Sequence, residues 1–414
     1  MKLAVVILSG AGDRPIEALG GMTPLESADL AAIASLAEQG RVGGVRTIPP
    51  EVVPSGEAAV SSILEVDPAA HSPGPGACLA RVLGIDLGPR DLAFRCDLVN
   101  LFEGAVVDPT AGRIGGEEAE ILFSALDEAL GSGGPGTSVR FLPGDRWRGV
   151  LVIRDGQAEG VRTRPPGSFL GKRARDRGPV GPGADLIRSL MDRAAEILPK
   201  HDINTVRVDL GENPANGIWV WGGGRPGNLP EEPPTGWGTV SAVGVHPSFL
   251  GFAAERGVRA VGIAPASRPA GNLEELGRSA VAALAVSDTV VVHLDGAMEH
   301  SLLGEVDGKV RYLTGADEWV VKPLAEELGI LGGILEEARA EARAEGRILV
   351  VASHVASVEK RRVLRDVVPF LVAGGPASAK GARFGGVPFT EAAAAEADLV
   401  IEDGTGLLGF ARRA

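Results

Sequence analysis

The chain contains 414 residues, of which 44% are hydrophobic and 23% charged, and it carries a formal net charge of −13 at pH 7. This composition is typical of a globular protein, and the negative charge argues against nucleic acid or an anionic membrane surface as a partner. The length predicts two domains, or one large α/β domain with an insertion.

The first predicted element is a short buried strand. Residues 3–8 (LAVVIL) form a continuous apolar run that breaks into Ser9-Gly-Ala-Gly and then Asp13-Arg14-Pro15. Such a run before a glycine-rich turn is typical of a parallel strand, and ligands bind where parallel strands end. The run is too short for a secretion signal, and no run reaches the roughly 18 apolar residues of a membrane span. The loop at 9–15 is therefore the first candidate site.

The next elements predict a second loop beside the first. The pattern indicates a helix over 29–38, a strand over 42–48 and a helix over 58–64. Ser55 precedes the second helix in the turn Pro-Ser-Gly-Glu, and two interpretations stay open for it. Its hydroxyl either caps the helix or serves as a nucleophile at the helix N-terminus.

Residues 71–179 predict a smaller α+β domain inserted into a core formed by 1–70 and 180–414. In this segment, glycine- and proline-rich turns separate short alternating runs. The insertion contains three arginines that are candidates for holding an anion: Arg95, Arg113 and Arg148. It also contains the two cysteines of the chain, too few for a disulfide framework or a cysteine metal motif, so we expect a reducing, cytoplasmic setting.

The second half of the chain predicts alternating helices and strands, which is typical of a doubly wound, mostly parallel α/β sheet. Helices are predicted at 184–198, 247–256, 273–285 and 320–344. Strands are predicted at 204–210, 219–222, 259–263, 289–294, 347–352, 369–373 and 399–401.

A set of short segments along nearly the whole chain carries a specific resemblance. These segments are GAGDRP (10–15), GGMTPLESA (20–28), EQGRVGGVRTIP (38–49), LAFRCDLVN (92–100), DPTAGRI (108–114), NPANGIWVWGGG (213–224) and VVVHLDG (290–296). In this order they resemble the archaeal-type cofactor-independent phosphoglycerate mutases of the alkaline phosphatase superfamily. The resemblance implies an alkaline phosphatase-like α/β core with an inserted substrate-binding domain. It also implies two manganese or zinc ions and a serine that transfers a phosphoryl group between two hydroxyls of glycerate.

The resemblance also shows where this chain departs from the family pattern. It places the nucleophile at Gly56, and it places the metal ligands at Ser9, Met298, Leu302, Ser353, His354 and Val363. Among these positions only His354 has a residue of the family's type. Trp221 replaces an arginine of the family, and Arg278 replaces a lysine. Because close divalent cations need carboxylates and imidazoles around them, this residue set predicts the loss of both metals.

Our leading interpretation is a degenerate phosphoglycerate mutase relative that has lost its two-metal site and its nucleophile. Such a protein would need no metal cofactor and would act as a binding or regulatory protein. Its expected ligand is an anionic, phosphorylated small molecule in the cleft between the domains. The residues assigned to this ligand are Asp13, Arg14, Arg95, Arg113 and Arg148. A protein partner or a homo-oligomer remains open.

The alternative is an active phosphoglycerate mutase, or a related phosphotransferase, with a rearranged site. Ser55 would then be a shifted nucleophile. Manganese or zinc would be held by residues of neighbouring turns: Glu57, Asp295, His300 and His354, with His293 and Glu299 nearby in sequence. Membership of this isomerase family therefore leaves open whether the chain is a glycolytic enzyme.

Overall fold

The computed structural model describes residues 1–71, 74–134, 137–173, 176–225, 229, 236–262, 272–331, 346–375 and 387–413. The chain divides into two compact units, one formed by residues 1–71 and 230–414 and the other by residues 72–229. The inserted unit therefore starts next to the predicted boundary but continues to residue 229 instead of ending at 179.

The strands, in chain order, are β1 (Leu3–Leu8), β2 (Arg41–Val45), β3 (Leu92–Phe102), β4 (Ala105–Asp108), β5 (Ser132–Gly134), β6 (Thr137–Pro143), β7 (Arg148–Ile153), β8 (Gly217–Gly224), β9 (Val240–Gly244), β10 (Arg259–Gly262), β11 (Thr289–Leu294), β12 (Arg347–Ala352), β13 (Val355–Ser357), β14 (Arg362–Leu364), β15 (Val368–Gly374) and β16 (Val400–Ile401). The helices are α1 (Pro24–Ser27), α2 (Ala31–Gln39), α3 (Gly56–Ile63), α4 (Pro75–Val82), α5 (Gly116–Leu130), α6 (Ala184–Ile197), α7 (Asp202–Asp209), α8 (Pro247–Glu255), α9 (Leu273–Val286), α10 (Gly296–Leu303), α11 (Val306–Ala316), α12 (Lys322–Glu327), α13 (Glu391–Ala395) and α14 (Leu407–Arg413).

The first unit is built on an eight-stranded sheet with the order β10-β9-β11-β1-β12-β15-β2-β16. Neighbouring strands are parallel except at β15, which runs antiparallel to both β12 and β2. Every residue of β1 is buried, and β1 pairs in parallel with β11 on one side and β12 on the other. The mostly parallel sheet confirms the predicted α/β class, and it explains why β1 is a continuous apolar run rather than an alternating one.

The second unit contains an antiparallel sheet with the order β4-β3-β7-β6-β5, with β8 also paired to β3. One core of this unit packs Phe94 and Cys96 of β3 against Phe123 of α5, Ile187 of α6 and Val220 of β8. Helix α6 and strand β8 are thus part of the inserted unit's own core. This packing is the physical reason why the unit extends beyond the predicted boundary at 179.

The predicted strand at 204–210 is wrong, because this segment forms helix α7. The buried side chains of α7 are polar: Asn204 bonds to the carbonyls of Leu198 and Ala215, and Arg207 is also buried. Its valines, Val206 and Val208, are exposed instead. The apolar alternation suggested a strand, whereas the buried face of the helix is held by hydrogen bonds.

The helical segment predicted to begin at 320 starts earlier, at Val306, and its described part reaches Glu327. The structure has α11, a π-helical turn at Asp317–Val321, and α12, while residues 332–345 lie outside the described part. Pro323 lacks the N–H that would donate to the Trp319 carbonyl, and the backbone N–H of Lys322 instead reaches the Asp317 carbonyl. Across the described segments, no helix is long and apolar enough to cross a membrane.

Candidate functional site

The positions that the family resemblance assigns to the nucleophile and to several metal ligands lie together at the carboxyl edge of the parallel sheet. A Cβ built on Gly56 would lie 3.2 Å from His354 Cε1 and 3.9 Å from Ser9 Oγ. The Sδ of Met298 is 3.5 Å from His354 Nε2. The backbone N–H of Met298 donates to the Ser9 carbonyl at 3.1 Å. We call these residues, Ser9, Gly56, Met298, Ser353 and His354, the central cluster.

The central cluster is electrically neutral and packed. His354 is 1% exposed, and its Nδ1 lies 2.7 Å from the Ser353 hydroxyl. Burial lowers the pKa of His354 to about 3, and the positive charge of Lys309 adds to this effect, so the imidazole is neutral at pH 7. The Ser353 carbonyl accepts a hydrogen bond from the Thr47 hydroxyl at 2.5 Å. The imidazole ring of His354 is therefore held at Nδ1 by the Ser353 hydroxyl and at Nε2 by the Met298 thioether.

The residues of the central cluster do not fit a pair of divalent metals. They offer one imidazole, one thioether and two hydroxyls, whereas manganese and zinc pairs are held by several carboxylates and imidazoles together. Among the residues that the structure describes, no group of three or more His, Cys, Asp or Glu side chains is arranged to hold a metal ion. The side chains of this site can pack and hydrogen-bond, but they cannot balance the charge of two cations.

The predicted ligand Asp13 belongs to a buried ion pair rather than to an open surface. Its Oδ2 accepts from Lys309 Nζ at 2.9 Å and from the Val358 backbone N–H at 3.0 Å. Lys309 is fully buried, and it also donates to the carbonyls of Gly12 and Ala356 at 3.0 and 2.8 Å. All three ammonium protons are thus used inside the protein. The structure therefore gives Asp13 a structural contact, and its assignment to a ligand stays a prediction.

Arg14, the other predicted ligand in this loop, makes a surface ion pair. Its Nη2 lies 3.0 Å from Asp366 Oδ1, and the two side chains are 52% and 38% exposed. The side chain therefore lies away from the buried pair that Asp13 forms, although the two residues are adjacent in sequence.

The alternative metal ligands do not converge with His354 on a metal-binding group within the described residues. His300 Nδ1 lies 2.6 Å from Glu305 Oε2, and its ring packs near Tyr312. Asp295 occupies the N-cap position of α10, without a capping hydrogen bond from its side chain, and Glu57 is in the first turn of α3. His300 thus pairs with Glu305, and Asp295 and Glu57 lie at the starts of two different helices.

Ser55 caps helix α3, since its Oγ accepts from the Ala58 backbone N–H at 3.1 Å. We expect Ser55→Ala to lower the free energy of unfolding by about 1 kcal/mol, because one helix N–H loses its acceptor. Urea unfolding of the two proteins measures this difference. Ser55→Asp, which keeps a capping acceptor, should retain most of the stability. An unchanged stability in Ser55→Ala would show that the cap contributes nothing.

In the second unit, the predicted anion ligand Arg95 is already paired. Its Nε and Nη2 donate to Asp97 Oδ1 at 3.1 and 2.6 Å, and its side chain is 3% exposed. Trp221 lies under the guanidinium at 5.1 Å and donates its Nε1–H to Asp97 Oδ2 at 2.7 Å. Because Asp97 neutralises the guanidinium and the indole covers it, Arg95 is part of the internal structure of this unit. The resemblance gave no sign of this role for Asp97.

Arg148 of β7 is paired with Asp97 on the neighbouring strand β3. It lies at the end of a turn that also contains Arg146. Its Nη1 is 3.2 Å from Asp145 Oδ2, and its guanidinium is 4.2 Å from the ring centre of Trp147. The guanidinium of Arg146 lies 4.4 Å from the same ring. Arg146 and Arg148 thus share the ring of Trp147 and the carboxylate of Asp145.

Arg113 lies in a strained turn between β4 and α5. Ala111, Gly112 and Arg113 have consecutive φ angles of +47°, +69° and +56°. For the two non-glycine residues, this left-handed backbone costs about 1–2 kcal/mol each. The sequence motif Asp-Pro-Thr-Ala-Gly-Arg marked the turn, but it did not reveal the conformation.

The mostly parallel sheet of the first unit, with polar residues at its carboxyl edge, and the antiparallel sheet of the second unit define a two-unit α/β protein. The family model of 2,3-bisphosphoglycerate-independent phosphoglycerate mutase matches residues 37–204. The protein of that name from Methanosarcina barkeri is 32% identical over 380 residues, which cover 90% of each chain. A probable enzyme of the same name from Geobacter sulfurreducens is 29% identical and covers 99% of this chain and 98% of its own.

Two solved structures share the fold. The PH0037 protein from Pyrococcus horikoshii has a TM-score of 0.71 at 24% identity and covers all of this chain and 96% of its own. The cofactor-independent phosphoglycerate mutase from Thermoplasma acidophilum has a TM-score of 0.53 at 23% identity, with coverage of 100% and 99%. The chain belongs to the 2,3-bisphosphoglycerate-independent phosphoglycerate mutase family.

Proposed function

We propose that this family member no longer catalyses the two-metal phosphoglycerate mutase reaction and instead binds a phosphorylated, anionic small molecule as a non-catalytic or regulatory protein. The observation that carries the proposal is the central cluster. Its side chains lie where the resemblance places the nucleophile and the metal ligands, and they form a neutral, hydrogen-bonded packing.

Two independent features of the site disfavour catalysis. Covalent phosphoryl transfer needs a nucleophile, and Gly56 has no side chain, while the Ser55 hydroxyl is engaged as a helix cap. Metal activation needs several charged ligands, and the cluster has no carboxylate. The buried ion pair beside the cluster, Lys309 with Asp13, is neutral and uses its carboxylate internally.

Ligand binding is proposed to rest on arginines of the second unit. We assign the ligand to Arg113 and Arg148, because Arg95 is neutralised by Asp97, while Arg148 shares the Asp145 carboxylate with Arg146. Guanidinium groups match phosphate and carboxylate oxygens in charge and in geometry. A cytoplasmic location is proposed as well, and it is supported by two buried cysteines that are not bonded to each other.

Calorimetric titration with 3-phosphoglycerate, in the presence of Mn²⁺, tests binding and turnover together. We expect saturable binding without formation of 2-phosphoglycerate. Arg148→Gln should weaken binding by about tenfold or more, which equals about 1.4 kcal/mol. Arg188→Gln, which removes an arginine paired with Asp185 elsewhere in the same unit, is the matched control and should leave binding unchanged.

Two results would contradict the proposal. Conversion of 3- to 2-phosphoglycerate that increases with Mn²⁺ and is lost in Ser55→Ala would establish the alternative, an active mutase with a rearranged site. Absence of binding at millimolar 3-phosphoglycerate would show that these arginines do not bind phosphorylated small molecules of this class.

A further inference from the structure

The turn at 110–113 is fixed from inside by one carboxylate. Asp108 Oδ1 accepts from the backbone N–H and the hydroxyl of Thr110 at 2.8 and 2.7 Å. Its Oδ2 accepts from the Gly112 N–H at 2.8 Å and from Asn213 Nδ2 at 2.9 Å. The Thr110 hydroxyl in turn accepts from the Arg113 N–H at 3.1 Å. The Gly112 N–H is therefore bonded to Asp108 directly, and the Arg113 N–H is linked to Asp108 through the Thr110 hydroxyl.

The same turn is fixed from outside by Arg207 of helix α7. The Nη2 of Arg207 donates to the Ala111 carbonyl and its Nε to the Asn213 carbonyl, both at 3.1 Å. Its Nη1 lies 2.7 Å from Glu118 and 3.0 Å from Glu212. The side chain of Arg207 is 5% exposed. Its Nη1 is held by the two glutamates, while its Nε and Nη2 bond to the backbone carbonyls of the turn and of Asn213.

A turn that only connected a strand to a helix would not need this arrangement. Glycine adopts the left-handed region freely, and the chain already has glycine at 112, yet it keeps alanine at 111 and arginine at 113. Non-glycine residues persist in this region when their surroundings enforce it, and such strain clusters at active sites and ligand-binding segments. The side chain at the end of the strained run is Arg113.

We infer that Arg207 and Asp108 are positioning residues, which hold the strained turn so that the Arg113 guanidinium is set in advance for a phosphate group. The inference rests on the proposed function, because it assumes that the second unit binds an anion. Setting the side chain before binding reduces the conformational entropy lost when the phosphate is held, and affinity rises accordingly. Arg207 itself does not touch the ligand.

Hydrogen exchange and phosphate titration of Arg207→Lys test the inference with two separate readouts. Lysine keeps the charge beside Glu118 and Glu212 but cannot reach both carbonyls. We expect faster exchange of the amides of 110–113 and about tenfold weaker binding of inorganic phosphate. Arg188→Lys, the same change in another helix of the unit, is the control and should alter neither readout.

Ala111→Gly provides a second variant that folds without difficulty, because it relieves strain. If the turn is only structural, this variant should be at least as stable as the unaltered protein and should bind phosphate with the same affinity. Our inference predicts an unchanged or higher melting temperature together with weaker phosphate binding.

The outcomes separate the inference from the proposed function. Faster exchange in Arg207→Lys with unchanged phosphate affinity, or unchanged exchange, would overturn the positioning role while leaving anion binding intact. Absence of binding of both inorganic phosphate and 3-phosphoglycerate to the unaltered protein would overturn the proposed function, and the inference with it.

Discussion

Replacing Lys309 by methionine is expected to lower the free energy of unfolding by about 3–5 kcal/mol, because the change leaves the carboxylate of Asp13 buried and unpaired. The side chains of this pair are 0% and 1% exposed. Burial lowers the pKa of Lys309, while Asp13 opposes that shift, so the ion pair is held in a dry environment. Methionine has nearly the same length, which limits the contribution of lost packing. Urea unfolding measures the difference.

Two further variants show whether the charge pair is the cause. Arg14→Met removes the exposed partner of Asp366 and should cost less than about 1 kcal/mol. The double variant Asp13→Asn, Lys309→Met removes both charges and should recover part of the loss, since no unpaired ion remains. A loss below about 1 kcal/mol in Lys309→Met would contradict the buried-pair account.

Acidification is expected to destabilise the protein by about 3 kcal/mol through His293 alone as the pH falls from about 6.5 to about 4. His293 is 5% exposed, its ring stacks on Phe249 at 4.8 Å, and burial lowers its pKa to about 4. Within the described residues, its Nδ1 has no hydrogen-bond partner. Because the unfolded chain takes up this proton near pH 6.5 and the folded chain only near pH 4, the stabilisation is complete above pH 6.5 and is lost below it.

The contribution of His293 is isolated by comparing variants over the same pH range. His293→Phe keeps an aromatic ring against Phe249 and should flatten the dependence of unfolding free energy on pH by about 1.4 kcal/mol per unit between pH 6 and 4.5. His71→Gln, a change at an exposed histidine, should leave the curve unaltered. Asp317 and Glu391, whose pKa values are raised by burial, act in the opposite direction in all three proteins. An identical slope in His293→Phe would contradict the prediction.

The central sheet was predictable because its strands are buried on both faces and therefore read as continuous apolar runs, as in β1 and β12. Helix α7 was not predictable in this way, because Asn204 and Arg207 are its buried residues and its two valines are exposed. Periodicity detects burial only when the buried side chains are apolar. The end of the inserted unit was predicted about fifty residues too early, because it was placed by turn composition, whereas the core of the unit also includes α6 and β8.

The candidate site was predictable only in part. The family resemblance identified Gly56, Met298 and His354 as related positions, although they are far apart in sequence, and the structure brings them into contact. No local pattern could indicate that Lys309 pairs with Asp13, because the two residues are separated by 296 positions. The pairing of Arg95 with Asp97 was also missed, since side chains two residues apart on a strand share a face but need not bond.

The amount of metal bound by the full chain tests the central claim most directly. The protein is incubated with excess Mn²⁺ or Zn²⁺, passed through a desalting column and measured by inductively coupled plasma mass spectrometry. The account predicts no stoichiometric metal, because the central cluster has no carboxylate to hold it. Two equivalents of either metal per chain would contradict the account and restore the case for a metal-dependent phosphotransferase.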